Sequence, residues 1–117
     1  MKTDTANVET PNADASLSSN TVFELLLEER RRYALYYLSR KVGAVSLEEI
    51  VERIAHTEGE PTRERLEEIA LEFHHNHLRK LVDAAVLQYD SETGTLERRS
   101  AARVLDPYLE LAYVDDL

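Results

Sequence analysis

The side chains in this chain whose types and spacing could do chemistry are concentrated between Leu66 and Asp90. His74, His75 and His77 surround Asn76, with Arg79 and Lys80 one turn further on. On a helix, at about 100° per residue, Glu68, Glu72, His75, Asn76 and Arg79 fall on one side. They form a hydrogen-bonding face with little bulk, of the kind that can read a polar partner. Metal chelation is the competing chemistry. His74 and His77 stand at i and i+3, but His77 projects into an apolar stripe and His75 lies about 160° from it. No His-Glu-x-x-His pattern and no cysteine supply further ligands. The spacing therefore predicts one packed histidine, two at the rim, and no metal or other cofactor. His56 stands alone at the end of the second helix, where a cation is mildly favourable against the helix dipole.

Catalytic constellations are equally absent from the sequence. It has no glycine-rich phosphate loop, no cysteine nucleophile and no Gly-x-Ser-x-Gly elbow, and its many glutamates fall mostly on polar helix faces. An enzyme is not expected.

The elements that must position the polar face follow from periodicity. Leu66, Ile69, Ala70, Phe73, His77, Leu78, Leu81 and Ala84 recur at steps of three and four, which predicts a third helix from Pro61 or Thr62 to about Ala84 with one side in a core. Val86 to Tyr89, the turn-forming Ser-Glu-Thr-Gly and the run Thr-Leu-Glu-Arg-Arg then predict a β-hairpin, with Gly94 taking the positive φ of its loop. Upstream, a first helix is predicted from Asn20, as its cap, to about Lys41. Phe23, Leu26, Leu27, Ala34, Leu35 and Leu38 form its buried face, and Gly43 ends it. Arg30, Arg31 and Arg32 on this helix are expected to be a solvated face with snorkelling stems, and phosphate contact is the sharper alternative.

Ala44 and Val45 suggest a short strand, and Ser46 with Glu49 forms a capping box that opens a second helix through Leu47, Ile50, Val51, Ile54 and Ala55. The Thr57 to Pro61 stretch is expected to be a loop, longer than the tight turn of a strict helix-turn-helix. Asp106-Pro107 caps a last helix to Val114, apolar around most of its circumference. That helix is expected either to face a second subunit or to pack on the first helix of its own chain. The organisation expected is a polar disordered tail over 1–19, a domain over 20–99 and a C-terminal helical extension over 100–117.

At 117 residues the chain has room for one core. The absence of cysteine excludes disulfides. No apolar run approaches the roughly 20 residues of a membrane span and no signal pattern opens the chain, so a cytoplasmic protein without a membrane partner is expected. A formal charge of −9 weighs against nucleic acid, yet residues 20–42 carry five basic and three acidic side chains. Abundant carboxylates with only three lysines also suit a protein kept soluble in concentrated salt, where charges are screened within about 3 Å at 1 M.

The run LLLEERRRYALYYLSRKVGAVSLEEIVERIA in the first two helices, together with HLRKLVDAAVLQYDSETGTL in the third helix and hairpin, resembles the small haloarchaeal winged-helix domains. These are distantly similar to arsenical-repressor-like transcription regulators. The resemblance spans about Val22 to Arg99. It implies a mainly α fold with a small β-hairpin, a winged helix-turn-helix of three core helices plus wing and a C-terminal helix. It also implies binding of double-stranded DNA, with the third helix in the major groove and the wing beside the backbone. By position His74, His75 and Asn76 would meet bases and Arg79 and Lys80 would lie toward phosphates, while Arg98, Arg99 and Arg103 form a small basic cluster near the expected wing base. A homodimer through the terminal helices is expected. Because Arg63, Arg65, Arg79 and Lys80 are outnumbered by Glu64, Glu67, Glu68, Glu72 and Asp83, the alternative is an interaction module that keeps the scaffold and binds another protein instead.

Overall fold

The computed structural model describes residues 17–114. The expected disordered tail therefore lies almost wholly outside the described residues. Of the part that is described, Leu17 packs on the core and Ser18 and Ser19 begin a helix.

Two helices stand where the spacing predicts one. Helix α1 (Ser19–Leu27) is capped by Ser18, whose Oγ accepts from the Thr21 amide at 3.1 Å, so the cap is not Asn20. Helix α2 (Glu29–Ser39) starts after Glu28 leaves helical geometry at φ −90° and ψ 133°. The break is held by arginines, since a helix end leaves carbonyls without intrahelical partners. Arg31 Nε donates to the Leu25 carbonyl at 3.0 Å and its Nη2 to that of Glu24 at 2.5 Å, while Arg32 Nη1 donates to Leu26 at 2.6 Å. The arginine face expected to be solvated is thus largely structural. The break also re-aims α1: Val22 and Leu25 are buried, whereas Phe23 and Leu27, expected in the core, are 61 % and 72 % exposed.

Strand β1 (Val45–Ser46) leads into α3 (Leu47–Glu58), whose Ile50, Val51, Ile54 and Ala55 are buried as the spacing requires. Ser46 Oγ accepts from the Glu49 amide at 3.0 Å, which is half of the expected capping box. The Glu49 carboxylate instead accepts from the Tyr37 hydroxyl and lies 3.5 Å from Lys41 Nζ. Because α3 continues through Thr57 and Glu58, the connection shrinks to residues 59–62. That is the short turn of paired helices and not the longer loop expected.

Thr62 caps α4 (Arg63–Glu72), its Oγ1 accepting from the Arg65 amide at 3.2 Å. The helix then widens into a π-helical turn, Phe73–His77, and continues as α5 (Leu78–Asp83). Its end is a left-handed cap at Ala85, φ 64°, with the Val86 amide reaching back to the Leu81 carbonyl at 3.2 Å and the Ala85 amide to Val82 at 2.9 Å.

Strands β2 (Leu87–Asp90) and β3 (Thr95–Arg98) form the expected hairpin, with Tyr89 opposite Leu96 and Gly94 at φ 69°. Val45 pairs with Leu96 on the other edge, so the hairpin grows into a three-stranded antiparallel sheet in the order β1-β3-β2. A 3₁₀ segment, Ser100–Leu105, and helix α6 (Asp106–Ala112) close the described chain. Asp106 does not cap α6, because Leu105 before it already has helical angles. Leu105 and Leu109 enter the core and Tyr113 stacks on Tyr36 at 4.4 Å, so the last helix packs on α2 of its own chain. Its Leu111 remains 77 % exposed. The fold is mainly helical with a small antiparallel sheet. No helix among the described residues is long and apolar enough to cross a membrane.

Candidate nucleic-acid interface

The π-helical turn carries the histidine-asparagine run. A wide turn inserts one residue into the helical ladder, here through the Leu78 amide bonding to the Phe73 carbonyl. The neighbours His77 and Leu78 both face inward. Ile69, Phe73 and His77 form one buried row, and Leu78 with Leu81 begins the next.

His77 is 1 % exposed and sits inside a polar chain. Arg31 Nη1 lies 3.1 Å from its Nδ1, and since a guanidinium has only donors, Nδ1 accepts. The ring proton is then on Nε2, which lies 3.1 Å from Glu72 Oε2. Glu72 Oε1 accepts from Arg30 Nη1 at 2.5 Å, and Arg30 also grips Glu58 with two bonds of 2.6 and 2.8 Å. Burial, with Arg31 adding to it, pushes the His77 pKa below its usual value against the opposing pull of Glu72. The Glu58 carboxyl is held below its usual range by the Arg30 hydrogen bond. This chain joins the α1–α2 break to the π-turn and to the end of α3, so it fixes the orientation of the helix spanning 63–83.

The outer side of that turn presents His74, His75 and Asn76, all exposed. His74 meets the Tyr89 ring edge-on at 5.8 Å and His75 at 5.4 Å. Arg79, exposed one turn later, lines an open hollow of about 400 Å³ with His74, His75, Val82, Asp83 and Tyr89. His75, Asn76 and Arg79 make no hydrogen bond or ion pair among the described residues, so their polar groups are available to a ligand.

The other candidates stand differently. Lys80 reaches back to Glu24 of α1 at 3.2 Å. Arg98 forms a bidentate pair with Asp106, at 2.7 and 2.8 Å, and joins the sheet to α6 instead of facing outward as a wing-base cation. Arg99 is exposed. The seven therefore do not converge on one site: His74, His75, Asn76 and Arg79 are brought together, while Lys80 and Arg98 are engaged elsewhere. Among the described residues no group of three or more histidine, cysteine or carboxylate side chains could hold a metal ion.

The spacing missed Arg31 and Tyr89. Arg31 was hidden in a charged triplet that resembles solvent-facing sequence, and only the buried histidine in an apolar stripe hinted that a polar partner had to exist. Tyr89 falls inside the predicted hairpin, and its spacing carries no signal of the contact its ring makes with His74 of the π-turn.

With this geometry in view, the chain belongs to the family described as Domain of unknown function (DUF7344), whose model matches residues 23–97. That span runs from α1 through β3 and leaves the 3₁₀ segment and α6 outside. Comparison with curated proteins and with solved structures gave no match.

Proposed function

We propose that this is a transcription-regulator-like DNA-binding protein on a winged-helix scaffold, distantly similar to arsenical-repressor-like regulators. The element order supports that scaffold: helix pair, short strand, helix, tight turn, long helix, hairpin, with the short strand joining the hairpin's return strand. One observation carries the DNA reading. His75, Asn76 and Arg79 lie exposed on one side of the 63–83 helix with no side-chain hydrogen bond or ion pair among the described residues, and the network beneath them ties that helix to α2 and α3. Asparagine offers the paired donor and acceptor that suit adenine, and arginine suits guanine or phosphate. No catalytic role enters this reading.

The protein is proposed to work in a salt-rich cytoplasm as a homodimer. Phe23, Leu27, Tyr108 and Leu111 supply the exposed apolar surface on the first and last helices, with Phe23 and Tyr108 already in edge contact at 6.4 Å. A second reading, a protein-interaction module, is favoured by the first half of the same helix. There Glu64, Glu67 and Glu68 are exposed and Leu71 is 63 % exposed, a surface ill-suited to phosphates. Amide shift mapping during titration with a random-sequence duplex separates the two. The DNA reading expects shifts at His75, Asn76 and Arg79. An unperturbed 63–83 helix would leave the interaction module standing.

A further inference from the structure

Between α3 and the first half of α4 runs a groove of about 470 Å³, also lined by Thr93 and Gly94 of the hairpin turn. Its floor is Leu47, Val51, Leu66 and Ala70. Val51 is buried, but Leu47, Leu66 and Ala70 are only partly covered and leave apolar area to water. Glu48, Glu52 and Glu67 line the groove, all exposed, and no lysine or arginine does so. These three carboxylates have no ion pair among the described residues. Uncompensated charge around a low-dielectric floor concentrates a negative field in the groove.

We infer that this groove docks a basic amphipathic helix of a partner protein, with apolar side chains at i, i+3, i+4 and i+7 on the floor and flanking Lys or Arg on the three glutamates. Charge selects that occupant over the others at hand. Residues 1–16 carry Lys2 against Asp4, Glu9 and Asp14, and 115–117 contain two aspartates, so these segments share the sign of the rim. A second copy offers its arginine-rich α2, but Arg30, Arg31 and Arg32 are used internally. Nucleic acid shares the sign of the rim. The groove contains none of His75, Asn76 and Arg79, so this inference and the DNA reading fail separately.

The test titrates the isotope-labelled full chain with a leucine-lysine peptide of about 18 residues, long enough to fold as one amphipathic helix. A peptide of the same composition with its leucines scattered serves as control. Amide shifts are expected at residues 46–52, 66–70 and 93, from the patterned peptide only. The triple variant E48Q/E52Q/E67Q should bind about tenfold more weakly, while E29Q/E92Q/E97Q, with the same change in net charge, should bind as wild type. Shifts elsewhere, equal binding of the scattered peptide, equal weakening by both triple variants, or duplex DNA moving the same amides would each overturn the inference.

Discussion

Arg31 and His77 meet in the interior, guanidinium Nη1 to imidazole Nδ1 at 3.1 Å, although they stand on different helices far apart in sequence. Arg31 also caps the Glu24 and Leu25 carbonyls, so one side chain closes α1 and fixes the tautomer of the histidine beneath the candidate interface. Replacing it with methionine keeps much of the stem but leaves those acceptors bare. Unmade buried bonds of this kind cost about 1–3 kcal/mol each, and a loss of about 3 kcal/mol is expected for R31M in urea unfolding. R31K should recover little of it, because an ammonium lacks the planar fork that reaches three acceptors at once. A loss below about 1 kcal/mol would show that water can replace the arginine.

The same pair sets a pH dependence. His77 is held below its usual value of 6.5, so under mild acid the unfolded chain takes up a proton that the folded chain refuses. The contribution of His77 is full above pH 6.5 and is lost as pH drops below it, until the folded histidine also protonates. Glu58, held below its usual 4.5 by Arg30, acts in a lower window: its contribution is full above 4.5 and is lost as pH falls through the depressed value. H77Q can still accept from Arg31 and donate to Glu72. It should flatten the upper limb of the urea-midpoint profile and leave the lower one. An unchanged upper limb would locate the titration elsewhere.

Ala85 holds a left-handed conformation at φ 64° where α5 turns into β2. A side chain there costs about 1–2 kcal/mol that glycine does not incur, partly offset by glycine's greater freedom when unfolded. A85G should raise the thermal midpoint, corresponding to a gain of about 0.5–1 kcal/mol. A lower midpoint would mean that the methyl group contributes packing that outweighs the strain.

The proposed dimer face can be tested without cutting the chain. Removing everything after Arg103 would take away Leu105 and Leu109, both buried, and so confound association with unfolding. L27E/L111E changes only exposed positions on α1 and α6. Sedimentation of the wild type should give a dimer and of the double variant a folded monomer. Identical masses would remove this face from the interface.

Much of this architecture is legible in the sequence because periodicity reports burial. Ile69, Phe73, Leu81, Ile50 and Ile54 stand at helical spacing and all are buried, and alternation with a glycine turn locates the hairpin. The break at Glu28 is not legible in this way. The surrounding sequence is strongly helical, and the interruption depends on Arg31 and Arg32 reaching back to carbonyls, a tertiary arrangement without a local signature. The same holds for Arg98, whose basic neighbours suggest a cluster at the wing base while its partner Asp106 lies beyond the hairpin. The candidate site is legible as a set of residue types on one helical side. Which of them stay free depends on contacts from α1 and α6 that spacing does not encode.

The central claim, that His75, Asn76 and Arg79 contact DNA, is tested most directly by fluorescence anisotropy with a labelled random-sequence duplex across a salt series up to about 1 M KCl. Wild type should bind with an affinity that falls as salt rises. N76A/R79A should bind at least about tenfold more weakly, with the salt slope reduced by about one. R98A, which breaks only the tie to Asp106, should match wild type. No measurable wild-type binding, or equal binding by wild type and N76A/R79A, would contradict the account.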